Sequence, residues 1–581
     1  MTEELSLTHE RIDDIPLLIG LAQKLRLAEV LDRHIGNHGH HRGLSNGTLA
    51  MVWLAYILSE QNHKKSLVQE WADDHHHMLE QLLGQPIRDV EFSDDRLGIV
   101  LRRLSDSENW HATQADLWHN RVEVYAIEIK SVRLDATAAS GYHEATEDGI
   151  MQKGHTKDYR PDLAQVKLMA ACVEPSGQFM ASDAMAGQSA DTPLYLPMIV
   201  RLREMLAQRG LLYTGDSKMA AIAIRADIAA HEDYYLMPLP TVGETAQQRE
   251  SWIAAAVDGT EPAQLIWRKK KLPDIGSELL GAGYEFSRPQ TCRLDDQEIQ
   301  WTERVQVVRS FAFAKSQIEH LEERLTKAQQ AIVALTPAPG RGKRQYDDET
   351  KLQTAVAEIL ARHKATGLLF VAWQRQETTT THYTGRGRGG ADRPMQTTTK
   401  VRYQITTITR DEAAITQRKQ YLGWRVMATN VPLDHMSLTD TTLHYRQGVC
   451  IESDFHNLKD RPIGISPLYV RRDDQIVGLT NLLCLALFLL TLIQTEVHRQ
   501  LAERGEQITG LYAGQPKRAT TTPTTVALLK AIAKQQPTLT RVQIGSQCLW
   551  HITPLSDLLR RVLDLLGLSH TLYLGLVQNS P

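Results

Sequence analysis

The feature that most constrains the fold is a block of strand and helix patterns between residues 129 and 240. Three segments with alternating or β-branched apolar residues come first, followed by a helical pattern, a strand, a second helix and a last strand. A turn containing Gly177 separates the second and third strands, as expected of a hairpin. Strands that are joined by hairpins in some places and by helices in others indicate one mixed sheet with helices packed on it. We therefore predict an α/β fold.

The rest of the chain is organised by where this pattern stops and where it returns. Residues 1–125 show helical spacing of apolar side chains, and residues 126–240 carry the strand and helix block. Residues 241–415 are typical of an insertion that is partly β-rich and contains one long amphipathic helix. Residues 416–500 restore a strand and helices, and residues 501–581 are predicted to be helical. We expect a core in two parts, interrupted by an insertion and flanked by helical N- and C-terminal regions.

Composition and cysteine use indicate a soluble protein of a reducing compartment. Hydrophobic residues make up 42% of the chain and charged residues 23%, as in ordinary globular proteins. The five cysteines are far apart and include no C-x-x-C pair, which argues against a disulfide framework. The N-terminus is acidic and polar, unlike a signal peptide, and the interrupted apolar run at 476–493 favours a core helix over a membrane span. We expect a cytoplasmic protein, associated with the nucleoid in a prokaryote, without a membrane partner.

Any affinity for nucleic acid must come from local basic clusters, because the net charge is −4 and the pI is about 6.7. Three such clusters lie at Trp267–Lys271, Gly340–Arg344 and Gly385–Arg393. A single cluster is more typical of a solvated loop. All three lie in the predicted insertion, which favours a surface that contacts DNA.

Two aspartates lie at the ends of predicted strands. Asp135 ends the segment IKSVRLD, and Asp216 ends the segment LLYTGD. The order of strands and helices resembles that of ribonuclease-H-like domains, whose mixed sheet carries helices on both faces and places these two strands side by side. The two carboxylates could then share a divalent cation, since Mg²⁺ prefers oxygen ligands. An aspartate at a strand end is common, as Asp183 and Asp191 show, so the assignment also requires a third carboxylate.

Glu452 is the candidate for that third carboxylate, because of what shares its helix face. The segment from Tyr445 to Lys459 is predicted to be one helix. At roughly 100° per residue, Tyr445, Phe455 and Lys459 fall within about 60° of Glu452. A solvent-exposed helix could produce the same pattern, although the spacing from Glu452 to Lys459 is too long for a simple i,i+4 ion pair. A face that holds a metal ion and also contacts phosphate explains all three side chains.

The same segment, YRQGVCIESDFHNLK, resembles the signature of DDE insertion-sequence transposases whose helix reads Y-x2-R-x3-E-x6-K. Tyr445, Glu452 and Lys459 match its tyrosine, glutamate and lysine. Gly448 stands where the family usually has arginine, and Arg446 is a candidate to supply that phosphate contact instead. The segments LDATAASGYH around Asp135 and YTGDSKMA around Asp216 resemble the two aspartate motifs.

The resemblance implies an enzyme that cuts and rejoins DNA. Asp135, Asp216 and Glu452 would be catalytic and would hold two Mg²⁺ or Mn²⁺ ions, while Tyr445, Arg446 and Lys459 would contact DNA. The strand GWRVMATN resembles the one on which this family can carry a tryptophan that stacks on a flipped base, and Trp424 occupies that place; packing at a sheet edge is the equal alternative. The implied partners are transposon terminal repeats, target DNA and a second copy of the chain. No P-loop motif occurs, so ATP is not expected.

Two other functions remain open at this point. One is a ribonuclease-H-like nuclease, or a domesticated DNA-binding relative that no longer transposes. The other is a helical DNA-binding regulator whose sheet domain binds a small ligand, in which Asp135→Ala would leave the activity unchanged.

Overall fold

Helices make up most of the first 125 residues, as predicted, although one strand precedes them. The structure is a computed structural model that describes residues 5–37, 42–155, 160–269, 276–294, 296–343, 345–384 and 394–577. Its first elements are β1 (Leu5–Arg11), α1 (Ile15–Lys24), α2 (Leu27–Ile35), α3 (Asn46–Glu60), α4 (Val68–Asp74), α5 (His76–Leu83), α6 (Asp94–Leu104) and α7 (Ser107–Tyr125). Ser45 starts α3 by accepting a hydrogen bond from the Thr48 amide, which satisfies an otherwise unpaired helix-end donor.

Residues 131–238 form the predicted succession of strands and helices. The elements are β2 (Ser131–Gly141), β3 (Ala164–Glu174), β4 (Gln178–Ala186), α8 (Thr192–Leu206), β5 (Leu212–Thr214), α9 (Ile222–Ala230) and β6 (Tyr234–Pro238). Gly177 lies in the hairpin between β3 and β4 with a φ of +74°, which glycine adopts without steric cost. Strand β2 pairs antiparallel with β3 and parallel with β5, and β5 pairs parallel with β6. The spatial order is therefore β4-β3-β2-β5-β6.

The insertion divides into two structural parts. Its elements are α10 (Glu244–Val257), β7 (Gln264–Lys269), β8 (Ser277–Leu294), β9 (Gln297–Ser310), α11 (Phe311–Val333), α12 (Glu349–Arg362), β10 (Leu369–Tyr383), β11 (Met395–Arg410) and α13 (Glu412–Gln420). Strands β7 to β9 extend the main sheet, whereas β10 and β11 pair as a separate long ribbon. Leu325, Leu352 and Leu369 belong to a second hydrophobic cluster at the base of this ribbon. The predicted basic cluster at 385–393 lies outside the described residues, as do 270–271 and 344 of the other two clusters.

Strand β12 joins the two halves of the sheet. It belongs to the second part of the core, whose elements are β12 (Trp424–Thr429), α14 (Leu438–Tyr445), α15 (Val449–Lys459) and α16 (Asp473–Arg504). Strand β12 pairs with β6 on one side and with β9 on the other. The described sheet therefore runs β4-β3-β2-β5-β6-β12-β9-β8-β7. The strand predicted after the insertion is confirmed and helices follow it, although the helix predicted for Tyr445–Lys459 is divided in two.

Helix α16 is the core helix predicted from the apolar run at 476–493. It packs against α3, α6, β4 and α18 (Asp557–Leu566), and its side chains belong to the main hydrophobic core. By length and composition it could cross a membrane, yet 94% of its most apolar window is buried inside the protein. Burial of this kind is what a core helix shows.

The C-terminal region is not purely helical, so the prediction for 501–581 was incomplete. Around α18 lie α17 (Thr525–Ala533), β13 (Thr538–Ile544), β14 (Gln547–Ile552) and α19 (Thr571–Leu574). Strand β13 pairs with β14 across the turn Gly545-Ser546 and with β1 on its other edge. The alternation on both sides of this Gly-containing turn is a hairpin signal. Its third strand comes from the opposite end of the chain, so the N-terminal region is not wholly helical either.

Candidate active site

Asp135 and Asp216 lie side by side on adjoining parallel strands. The pairing of β2 with β5 runs from Ser131 opposite Leu212 to Arg133 opposite Thr214. Asp135 lies two residues after Arg133, and Asp216 lies two residues after Thr214. Both aspartates therefore lie just beyond the point where the parallel pairing stops. Both side chains are half-buried and border the same cavity. The neighbouring placement predicted from the sequence is confirmed.

The position of Asp135 within its strand differs from the prediction. Strand β2 does not end at Asp135 but continues to Gly141. The reason is its antiparallel partner, since β3 pairs with β2 over the whole length to Gly141, whereas the short β5 pairs only as far as Arg133. The Asp135 carboxylate therefore lies at a point of β2 where the pairing with β5 has stopped and the pairing with β3 continues.

Asp216 is held by two hydrogen bonds. The Tyr195 hydroxyl and the Lys218 amide each donate to its Oδ1 over 2.8 Å. Burial raises the pKa of Tyr195 well above its usual value, and the negative charges of Asp216 and Asp135 add to this effect. Tyr195 therefore remains a neutral donor that fixes the orientation of the Asp216 carboxylate.

Glu452 reaches the cavity from a segment that is not one continuous helix, contrary to the prediction for Tyr445–Lys459. Helix α14 ends at Tyr445, a 3₁₀ turn spans Arg446–Gly448, and α15 begins at Val449. A 3₁₀ turn has 3.0 residues per turn in place of 3.6, so the angular relation of Tyr445 to Glu452 is not that of an ideal helix. Both nevertheless border the cavity, and the Glu452 side chain is exposed in the first turn of α15.

A buried polar network fastens this segment to the sheet. Glu174 of β3 forms an ion pair with Arg133 of β2, and His444 Nε2 of α14 lies 3.0 Å from the other Glu174 oxygen. The Ser131 hydroxyl donates to Glu174 and lies 2.9 Å from His444. Burial opposes ionisation of Glu174, but His444 and Arg133 outweigh it and lower its pKa. The network therefore ties α14 to β2 and β3 directly beneath the site.

The cavity that holds the three carboxylates has a volume of about 640 Å³ and carries positive charge as well. Four arginines line it, namely Arg133, Arg249, Arg425 and Arg446. Burial lowers the pKa of Arg446, and the nearby charges of Arg268 and Arg425 lower it further. Such mutual repulsion is relieved when an anion binds between the cations. A carboxylate cluster beside an arginine cluster suits a phosphodiester together with divalent cations.

The remaining predicted residues are divided between the cavity and its surroundings. Trp424 and Tyr445 line the cavity with Arg446, whose Nη2 donates to the Ser310 hydroxyl over 2.6 Å. The indole of Trp424 donates to the Gln420 carbonyl (2.8 Å), so its ring is fixed at the start of β12. Lys459 ends α15 and is half-buried, and it is not among the residues that border the cavity.

Sequence reasoning missed several cavity residues. Arg133 and Arg425 lie directly beside predicted positions, two residues before Asp135 and one after Trp424. The alternation of side chains along β2 could have pointed to Arg133, because Arg133 and Asp135 are residues i and i+2 and share a face of the strand. Arg249 and Phe313 come from α10 and the start of α11 in the insertion. No local pattern links them to the carboxylates.

The chemistry of the donor set suits hard divalent ions. All three acidic side chains offer carboxylate oxygens, which Mg²⁺ and Mn²⁺ prefer, and two lie on adjoining strands. Within the described part of the chain, no three His, Cys, Asp or Glu side chains are close enough to hold an ion as they stand. Asp135, Asp216 and Glu452 are the acidic residues that border the cavity.

The comparisons with known proteins show the family to which the chain belongs. A family model described as the transposase DDE domain matches residues 132–489, which is more than half of the chain, so the chain belongs to that family of DDE transposases, enzymes that act on DNA. A second model, described as a domain of unknown function (DUF4277), matches residues 7–112. A search of curated proteins found no match.

One solved structure with a coarse likeness is the piggyBac transposase synaptic complex with hairpin DNA. The two chains are 9% identical, with a TM-score of 0.32, and the match covers 99% of this chain and 87% of that chain. This score is too low for the likeness to support a shared mechanism.

Proposed function

We propose that this DDE transposase cleaves DNA at the ends of an insertion sequence and joins those ends to target DNA. The observation that carries the proposal is the cavity in which Asp135, Asp216 and Glu452 meet four arginines. We include in the proposal a ribonuclease-H-like core, which the order β4-β3-β2-β5-β6 supports. We also include the Y-x2-R-x3-E-x6-K signature, from which Gly448 departs.

The reaction has two displacements at phosphorus. In the first, water attacks the phosphodiester at the element's end, the bond from phosphorus to the 3′ oxygen breaks, and the oxygen leaves as a 3′-OH. In the second, this hydroxyl loses its proton and attacks another phosphodiester, either across the duplex to give a hairpin or in target DNA. A new bond forms between phosphorus and the attacking oxygen, the bond from that phosphorus to its own 3′ oxygen breaks, and the 3′ oxygen leaves as a hydroxyl. Two Mg²⁺ or Mn²⁺ ions, when bound by Asp135, Asp216 and Glu452, would help to activate the nucleophile and stabilise the leaving oxygen.

The side chains around the carboxylates hold the DNA. Arg446 and Arg425 face the cavity as neighbouring cations and are suited to bind the phosphate that reacts. The Tyr445 hydroxyl remains protonated, because burial raises its pKa, and it can donate to a phosphate oxygen. Lys459 lies two helical turns beyond Glu452 and would contact the backbone farther along the DNA.

Trp424 has two candidate roles, which are stacking on a DNA base and packing against the core. Its ring borders the cavity but also packs partly against the main core. Stacking on a base extruded from the DNA end is worth roughly 1–3 kcal/mol. If Trp424 stacks in this way, Trp424→Ala should lower end cleavage well below Trp424→Phe by more than its loss of stability explains. Losses of cleavage that follow the losses of stability, measured by urea unfolding, would indicate a packing role only.

The proposed setting follows from the same chemistry. Two ends must be joined in one reaction, so we propose that two copies of the chain assemble on DNA, which light scattering with and without end DNA would test.

The five cysteines are free thiols, and Cys172 and Cys450 remain unbridged with their Sγ atoms 3.6 Å apart. This state suits the reducing cytoplasm that we propose.

Strand cleavage by the Glu452→Gln variant tests the function. The substrate is DNA carrying the cognate terminal repeats, with Mg²⁺, and the matched control is Glu358→Gln, an exposed glutamate of α12. Glu452→Gln keeps the shape of the side chain but removes the charge that a divalent ion needs. We expect it to lose at least about 10³-fold in rate, on the scale seen for groups that act only in the transition state. The control should cleave like the wild type.

Three outcomes would contradict the proposal. Equal cleavage by the wild type and Glu452→Gln would exclude this carboxylate from the chemistry. Binding of end DNA without any cleavage under permissive conditions would favour a domesticated DNA-binding protein, and cleavage without joining would favour a nuclease.

A further inference from the structure

We propose that Arg133, lodged against Gly448, is the positioning residue that sets Glu452 against the two aspartates. This inference rests on the proposed function of the cavity. It concerns the joint between the strand that carries Asp135 and the segment that carries Glu452.

The Arg133 guanidinium contacts both the sheet and the segment that leads to Glu452. Arg133 lies two residues before Asp135 on β2, and its side chain is only 7% exposed. Its Nε bonds to Glu174 of β3, and its Nη2 donates to the Tyr445 carbonyl over 3.1 Å. The guanidinium also stacks over the Tyr445 ring, with its carbon 5.1 Å from the ring centroid. Arg133 therefore contacts the sheet and the end of α14 at the same time.

Gly448 provides the space that this guanidinium occupies. A Cβ added at Gly448 would lie 2.7 Å from Arg133 Nη1 and 2.8 Å from Cζ, which is closer than non-bonded atoms approach. The backbone of Gly448 has φ −57° and ψ −3°, a conformation open to any residue. The guanidinium is the end of a long side chain, but its bonds to Glu174 and to the Tyr445 carbonyl oppose a shift. Glycine is thus favoured here by the space that Arg133 fills and not by its backbone angles.

The contact lies where it controls the position of Glu452. Gly448 ends the 3₁₀ turn, and Glu452 follows in the first turn of α15, about 6 Å along the helix at 1.5 Å per residue. Glu452 itself is exposed, so packing of its own side chain does little to hold it. A misplacement of about 1 Å can cost a catalytic group roughly 10²-fold in rate. The distance between the 3₁₀ turn and Arg133 then determines whether Glu452 lies close enough to Asp135 and Asp216 to complete the carboxylate site.

A purely structural role for Arg133 makes a different prediction. If Arg133 served only to neutralise Glu174, its loss would destabilise the protein, and the side chain at position 448 would not matter. If it positions Glu452 through Gly448, the effects of changes at 133 and 448 must be coupled. Coupling between the two positions therefore separates the two roles.

The experiment is a double-variant cycle of Arg133→Ala and Gly448→Ala, read by single-turnover cleavage of end DNA at saturating DNA. We expect each single variant to lose about 10- to 100-fold in rate with DNA affinity nearly unchanged. In the Arg133→Ala background the added methyl group finds free space, so Gly448→Ala should cost no more than about twofold there. Arg225→Ala breaks another buried ion pair, with Glu303, away from the cavity. This control should lose stability but keep its cleavage rate.

Equal losses from Gly448→Ala in both backgrounds would overturn the proposal. If Arg133→Ala does not fold, Arg133→Lys replaces it, since lysine keeps a cation for Glu174 but removes the guanidinium from Gly448. If the wild type itself does not cleave, the proposed function fails separately, and hydrogen exchange still tests the joint. Arg133→Ala should then speed exchange of the 445–452 amides while leaving α12 unchanged, and unchanged exchange at 445–452 would refute it.

Discussion

At the scale of single residues, the cavity brings arginine and carboxylate side chains together. Arg133 bonds to Glu174, Arg249 donates to the Leu239 carbonyl, and Arg446 donates to Ser310. These partners lie outside the three candidate catalytic carboxylates. Arg249 and Arg446 are thereby oriented in advance for substrate phosphates, whereas the charge of Arg133 is taken up by Glu174.

Asp14 gives a prediction on the pH dependence of stability. It is fully buried, and burial, supported by Asp13 and Glu60, raises its pKa to about 7 although the Ser59 hydroxyl donates to it. The unfolded chain has an ordinary pKa of about 3.9, so the folded state holds the proton more tightly. The contribution of Asp14 to stability is therefore full below about pH 4 and falls as the pH rises toward 7, by up to about 4 kcal/mol.

Urea unfolding at pH 5, 7 and 8.5 checks this prediction. Asp14→Asn stays neutral at each pH, so the variant should lose the part of the decline that Asp14 causes. Asp89→Asn changes an exposed aspartate of the same region and should keep the wild-type slope. An unchanged slope in Asp14→Asn would show that Asp14 titrates normally.

At the scale of elements, local patterns predicted those strands and helices whose neighbours in the chain are also neighbours in space. The hairpin of β3 and β4 and the alternation from α8 to β6 are of this kind, and they place Asp135 beside Asp216. The extension of the sheet by β7 to β9 was not predicted, because β9 pairs with β12 more than 100 residues away. The 3₁₀ turn before Glu452 was missed for a similar reason. It fits the space beside Arg133 of a distant strand.

The ribbon of β10 and β11 allows a prediction on DNA affinity. Most of its side chains beyond the base are exposed, while Leu369 at the base is buried in the second hydrophobic cluster. Replacing residues 377–401 by a short turn removes Arg386, Arg388, Arg393 and Lys400 but leaves the base intact. Since phosphate contacts release counterions, the shortened protein should bind end DNA more weakly and with a flatter dependence on salt.

Fluorescence anisotropy between low and moderate salt measures this effect. The control is a variant that keeps the full ribbon and its charges. In this variant the exposed Thr397, Thr398 and Thr399 are replaced by serine. If the shortened protein retains the wild-type affinity and salt slope, the ribbon does not contact DNA.

At the scale of the whole molecule, one hydrophobic core connects the site to both ends of the chain. It runs from Ile12 near the N-terminus through α16 to Leu576, and it includes Ile451 and Phe455 beside Glu452. The sheet of β1, β13 and β14 brings the first and last parts of the chain together. The three candidate catalytic carboxylates therefore come from segments up to 317 residues apart in sequence, counting from Asp135 to Glu452, yet they are carried on one packed body.

In the proposed mechanism, these three carboxylates work as one metal-holding unit. Single-turnover cleavage of end DNA with Mg²⁺ by Asp135→Asn, Asp216→Asn, Glu452→Gln and the triple variant tests it most directly. Because the unit fails when any member is lost, each single variant should fall at least about 10³-fold, close to the triple variant. A single variant that cleaves at the wild-type rate, or three partial losses that multiply to give the triple variant, would contradict the account.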